Sequence, residues 1–99
     1  MNQNWNDQTV YRKSSDVVAR KIAGEYLLVP IKNRVVDMQQ LYSLNELGEY
    51  VWSSIDGEQN ISQIVAKILE DFDITETEAR KDLNDFLKDL IARNLIETI

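Results

Sequence analysis

Apolar residues recur at helical spacing in three runs along the second half of the chain, and each run carries its own start signal. Leu44, Leu47, Val51 and Ile55 form the first stripe. Ser43 with Glu46 three residues on reads as a capping box, and Asn45 competes as N-cap. Asp56-Gly57 reads as the stop, because Gly takes the left-handed conformation without a Cβ penalty. Ile61, Ile64, Val65, Ile68 and Leu69 form the second stripe, opened by Asn60 with Gln63 as its capping partner. Ala79, Leu83, Phe86, Leu87, Leu90 and Ile91 form the third, opened by Thr75 with Glu78. Glu76 and Glu78 also suit the positive end of that helix. Phe72 and Ile74 punctuate a charged loop and read as packing residues.

The first half carries a different period. Val17 to Ile22 alternates loosely and ends at Ala23-Gly24, a plausible tight turn. Tyr26 to Ile31 is a continuous apolar run of strand formers, so the two segments predict a hairpin. Pro30 cannot donate a ladder bond and belongs at a strand end or an edge. Lys32 to Gln40 reads as a connection, in which Val35, Val36 and Met38 would cover the sheet or cap a groove. Met1 to Ser15 is polar and aperiodic, and it predicts a mobile tail that leaves residues 16–99 as the domain. Trp5 and Tyr11 then read as exposed aromatics, with docking on the domain or a partner as the alternative.

Two residues of the first helix are informative. Gly48 lies early in it, where Gly costs about 1 kcal/mol against Ala. A second backbone packed against it would explain its use. Trp52, four residues on, lies on the same side and reads as core.

Composition narrows the chemistry. The chain has 99 residues, enough for one domain. It has no Cys and no His. Disulfides, thiolate metal sites, a Cys nucleophile and every Ser-His-Asp arrangement are therefore excluded. Gly24, Gly48 and Gly57 are too scattered for a phosphate loop. The many carboxylates fall mostly on exposed helix faces, so the expectation is no catalytic residue, no metal, no cofactor and no enzyme activity. No run of about 18 apolar residues is present, so no membrane span is expected, and the N-terminus lacks a signal-peptide core. The expected compartment is the cytoplasm. A net charge of −6 has the wrong sign for binding phosphates. On the third helix, Asp82, Asp85 and Asp89 line one flank beside Phe86, while Arg80 and Lys88 lie on the other. That acidic flank argues further against nucleic acid. It reads either as a solvated face with pairs such as Lys81 with Asp85, or as a surface for a basic peptide.

The sequence Leu44-Asn45-x-x-Gly48-x-x-x-Trp52, then Asp56-Gly57, then the second apolar helix, resembles the PqqD-like family. Phe86-Leu87, Leu90 and Asn94-Leu95-Ile96 match its closing pattern, with Asn94 where the family usually has Gly. Asn tolerates the left-handed C-cap, so that departure preserves the geometry. The likeness runs from about Val17 to Ile96. It implies an α+β fold: a small winged helix-turn-helix with an N-terminal three-stranded antiparallel sheet followed by three helices. Leu41-Tyr42-Ser43 would be the third strand, which periodicity alone does not identify, and the residues after Asn94 would return as the wing.

The resemblance also implies a function. Family members, also called RiPP recognition elements, bind the leader segment of a ribosomally made precursor peptide in natural-product pathways such as PQQ biosynthesis. The implied partners are that leader and a modifying enzyme, such as a radical-SAM maturase or a lasso-peptide protease or cyclase. Carried onto this chain, the groove would have Leu41, Tyr42 and Ser43 on one wall and Asp82, Phe86 and Asp89 on the other. Leu44, Asn45, Gly48, Trp52, Asp56 and Gly57 would be the structural motif. A monomer or weak dimer is expected. The alternatives are a winged-helix nucleic-acid regulator and a protein–protein interaction domain of the same fold.

Overall fold

The computed structural model describes residues 7–32, 35–36 and 40–99. In chain order the elements are β1 (Tyr11–Lys13), β2 (Val17–Ile22), β3 (Glu25–Lys32), β4 (Val35–Val36), β5 (Tyr42–Leu44), α1 (Glu46–Ser54), α2 (Ile61–Asp71), α3 (Glu76–Ala92) and β6 (Ile96–Thr98). The chain is thus α+β, with three helices and antiparallel sheets.

The sheet is not the simple N-terminal three-stranded one expected. β2 pairs with one edge of β3. β5 and the two-residue β4 share the other edge, β5 opposite Tyr26 to Leu28 and β4 opposite Ile31 and Lys32. A separate two-stranded sheet joins β1 to β6 across the whole length of the sequence. The returning strand after Asn94 is present, but its partner is the segment read as a tail.

The hairpin forms as its sequence predicts. Ala23 and Gly24 both take positive φ, at 53° and 85°, and close β2 onto β3 in two residues. Such turns match the right-handed twist of the strands they join. Tyr26 and Leu28 of β3 and Val17 and Ala19 of β2, Ala19 lying opposite Leu28, pack on the core, so alternate residues of the hairpin reach it.

All three helices start on side-chain caps. Asn60 and Gln63 form a reciprocal capping box, each accepting at 2.8 Å from the other's backbone N–H. The Thr75 hydroxyl accepts from Glu78 N at 3.1 Å. At α1 the competing cap prevails: Asn45 Oδ1 accepts from Gly48 N at 2.8 Å, and Ser43 lies within β5. The end of α1 also differs from expectation. The helix stops at Ser54, with buried Ile55 as C-cap. Asp56 then accepts from the N–H groups of Glu58 and Gln59, and Gly57 takes φ 81° within that turn. Asn94 adopts φ 60°, and Leu95 N returns to Leu90 O, closing α3 without Gly.

The core joins Leu28, Val51, Trp52, Ile55, Ile64, Ile68, Leu83, Leu87 and Leu90, all essentially buried. The helical stripes are narrower than the pattern suggested, because Leu69 and Ile91 are 36% and 38% exposed. Phe72 packs edge-on against Tyr50 at 5.2 Å between ring centroids. Among the described residues, no helix is long and apolar enough to cross a membrane.

The largest correction concerns residues 7–15. Tyr11 is only 3% exposed and belongs to the core. Around it the backbone is tied in: Gly57 N donates to Tyr11 O, Ile61 N to Thr9 O, Ser62 N to Asp7 O and Ile99 N to Val10 O. Asp7 also pairs with Arg80 on α3 at 2.9 Å. The polar composition hid this role, since one buried ring and a row of main-chain bonds need no apolar run. Trp5 and Met38 lie outside the described residues. Val35 and Val36 form β4 rather than a loop.

Candidate functional site

β5, the start of α1 and the middle of α3 enclose a groove of about 300 Å³. β5 is short because Asn45 ends it by capping α1 one residue later. Its inner edge is paired with β3, and among the described residues nothing pairs with its outer edge. The main-chain groups on that side are therefore available for another strand. Strand alternation sends Tyr42 and Leu44 toward the helices and Ser43 to the other face.

The floor of the groove is apolar. Leu47, Gly48 and Val51 of α1 meet Leu83 and Phe86 of α3 there. Gly48 opens this space, but its neighbours are not a second backbone. A Cβ at Gly48 would stand 3.2 Å from Asn45 Oδ1 and 3.5 Å from Leu44 Cβ and Cδ2, so the capping side chain and the last residue of β5 occupy the room that Gly leaves. Gly48→Leu is expected to cost about 1–3 kcal/mol by overpacking and to fill the groove. Gly48→Ala is expected to stay within about 1 kcal/mol of the parent, the gain in helix propensity offsetting a crowded cap. Thermal melts of both variants check this. A parent-like melt for Gly48→Leu would show that the space is not confined.

One wall is organised around Tyr42. Its ring lies 6.2 Å from that of Phe86, centroid to centroid. Its hydroxyl donates to Asp89 Oδ2 at 3.1 Å, and the Arg93 guanidinium lies 4.7 Å above the ring centroid. Burial, followed by the bond to Asp89, holds the Tyr42 hydroxyl above its ordinary pKa, and Arg93 acts the other way. The phenol thus stays protonated and donating at neutral pH.

The other wall is acidic. Asp82, Asp85 and Asp89 rim the groove from α3. Lys81 Nζ meets Asp85 at 3.1 Å, and Arg80 is held by Glu76 and Asp7, both at 2.9 Å. These exposed, solvent-screened pairs contribute little to stability. They do decide the field: Arg80 and Lys81 are already engaged, and the rim lined by Asp82, Asp85 and Asp89 is left negative. Such a surface repels a phosphate backbone.

Four of the six residues placed on the groove walls from the sequence, Tyr42, Asp82, Phe86 and Asp89, line this one groove. Ser43 joins its mouth, where Leu44, Asn45 and Gly48 continue the cleft along the strand. Leu41 stands just outside β5, half-buried, and is not among the lining residues. Phe86 is half-buried and serves both core and groove. The motif residues divide: Leu44 and Trp52 are core, Asn45 caps, Gly48 is floor, and Asp56-Gly57 make the turn after α1. Sequence reasoning missed Asn45, Leu47, Gly48 and Val51 as lining residues and Arg93 as the cover of Tyr42. The early helical Gly was the only signal for the floor.

Comparisons with known proteins place this geometry. No curated protein sequence matches the chain. Among solved structures, the fold is similar to that of a chain described as "TbiB1 in Complex with the TbiA(beta) Leader Peptide". The TM-score is 0.70 at 24% identity, over 87% of this chain and 94% of that one. At this identity the likeness establishes the fold. The family described as "Coenzyme PQQ synthesis protein D (PqqD)" matches residues 25–96, from the start of β3 to the first residue of β6. With most of the sequence matched, from β3 through all three helices, this chain belongs to the PqqD family.

Proposed function

We propose that the protein is a non-catalytic peptide-binding adaptor. It takes the leader segment of a ribosomally made precursor as an extra antiparallel strand on β5 and presents the rest of the precursor to a separate modifying enzyme. The observation that carries this reading is the open edge of β5 beside a groove with an apolar floor. Main-chain bonds along such an edge supply affinity, and side-chain pockets supply specificity. Membership of the PqqD family and the fold shared with a chain solved together with a leader peptide support it. The acidic rim favours a peptide over nucleic acid. A radical-SAM maturase, or a lasso-peptide protease or cyclase, is the class of enzyme served. The site of action is the cytoplasm, and the working form is a monomer or weak dimer.

The partner is disordered when free, so part of its interaction energy is consumed by ordering. Amide shift mapping by NMR with a candidate leader peptide tests the mode. Shifts are expected along Tyr42 to Leu44 and on α3 from Asp82 to Asp89. Shifts confined to β1, or to the outer face of α2, would rule out strand addition at β5 even if the peptide binds.

A further inference from the structure

We infer that the groove selects its peptide by charge: it takes a large apolar side chain flanked, two positions away, by Lys or Arg, with Asp82 as the selecting residue. This rests on the strand-addition reading above.

The floor and the rim make different demands. A space of about 300 Å³ between Gly48, Val51, Leu83 and Phe86 accommodates one large apolar side chain. In an added strand, side chains facing the groove recur every second residue, about 6.7 Å apart. A residue two positions from the anchor therefore meets the rim rather than the floor.

The three carboxylates on that rim are not equivalent. Asp89 accepts the Tyr42 hydroxyl. Asp85 is paired with Lys81. Asp82 makes no hydrogen bond or ion pair among the described residues, and Lys81, the cation beside it on the helix, is already committed to Asp85. Arg93 lies over the Tyr42 ring, at the Asp89 end of the groove. A Lys or Arg from the peptide thus finds an available partner at Asp82, whereas Asp or Glu at that position meets three like charges. The net charge of −6 adds a long-range attraction for a basic segment.

Selection from a displayed library of random peptides, against the full chain and its Asp82→Lys variant, tests this. Asp82 is exposed, so the variant is expected to melt like the parent. Peptides enriched on the parent should share an apolar anchor with Lys or Arg two positions away. They should bind Asp82→Lys about tenfold more weakly by fluorescence anisotropy, with the ratio shrinking at high salt. Selection on Asp82→Lys should enrich Asp or Glu at that position instead. If parent-selected peptides map to Tyr42–Leu44 by amide shifts but show no basic preference, or bind both proteins equally, the charge rule is wrong and strand addition stands. If they map elsewhere, or none is enriched, both fall.

Discussion

Trp52→Ala is expected to destabilise the fold by about 3–5 kcal/mol. The ring is 3% exposed and sits where α1 meets the rest of the core, between Val51 and Ile55 in sequence. Removing it leaves a cavity that α1, pinned by its Asn45 cap and by the β5 junction, closes only in part. Lys13 lies 5.1 Å from the ring centroid, so the same substitution uncovers a lysine whose pKa burial already lowers, against the attraction of Asp56. For a domain whose total stability is about 5–15 kcal/mol, the loss is a large fraction of the whole. Urea denaturation of parent and variant measures it. Trp52 does not line the groove, so peptide affinity should persist under conditions where the variant remains folded. An unchanged denaturation midpoint with lost peptide binding would mean that the ring is a contact and not core.

Removing residues 1–13 is expected to have a comparably large effect, although their composition is that of a tail. The deletion takes Tyr11 out of the core, strips β6 of its partner strand and leaves the N–H groups of Gly57, Ile61 and Ile99 without the main-chain carbonyls they now use. Buried aromatic-to-Ala changes cost about 3–5 kcal/mol, so Tyr11→Ala alone should account for much of the loss. Circular dichroism melts of the truncated chain and of Tyr11→Ala provide the measurement, and parent-like melting would restore the tail reading. The phenol supplies a second readout. Burial pushes the Tyr11 hydroxyl up to about 12. Its folded pKa is thus above the unfolded value near 10, so its contribution is complete below pH 10 and is lost as pH rises toward 12. Tyr50, whose hydroxyl is raised to about 12 first by its bond to Asp71, loses its contribution over the same window. Tyr11→Phe should therefore lessen the alkaline fall in stability without abolishing it.

Local signals were legible wherever cause and effect lie a few residues apart. The Asn60/Gln63 box, the Thr75 cap, the Ala23-Gly24 turn and the left-handed Asn94 all act within a span of about five residues, and all form at the residues the sequence marks. Burial at i, i+3 and i+4 likewise follows from the 3.6-residue period. The competition between Ser43 and Asn45 was open locally. Pairing of β5 with a strand some sixteen residues upstream settled it, because Ser43 is held in the ladder opposite Leu27.

Other features depend on residues far apart. β1 pairs with β6 across almost the whole chain, and a three-residue polar strand carries no period that could announce it. The groove is similar: Tyr42 and Asp89 are 47 residues apart, and their bond exists only because α3 packs back across α1 and β5. By itself the sequence determined the hairpin, the three helices with two of their caps, the narrow choice of chemistry and the family. Tertiary structure alone decided that Tyr11, in an apparent tail, is core, that Gly48 floors a groove, and that Asp82 rather than its neighbours on the rim is left without a hydrogen bond or ion pair among the described residues. Caps and turns are set by neighbouring residues, whereas strand partners, pocket floors and the pairing of charges are set by which distant surfaces the core brings together.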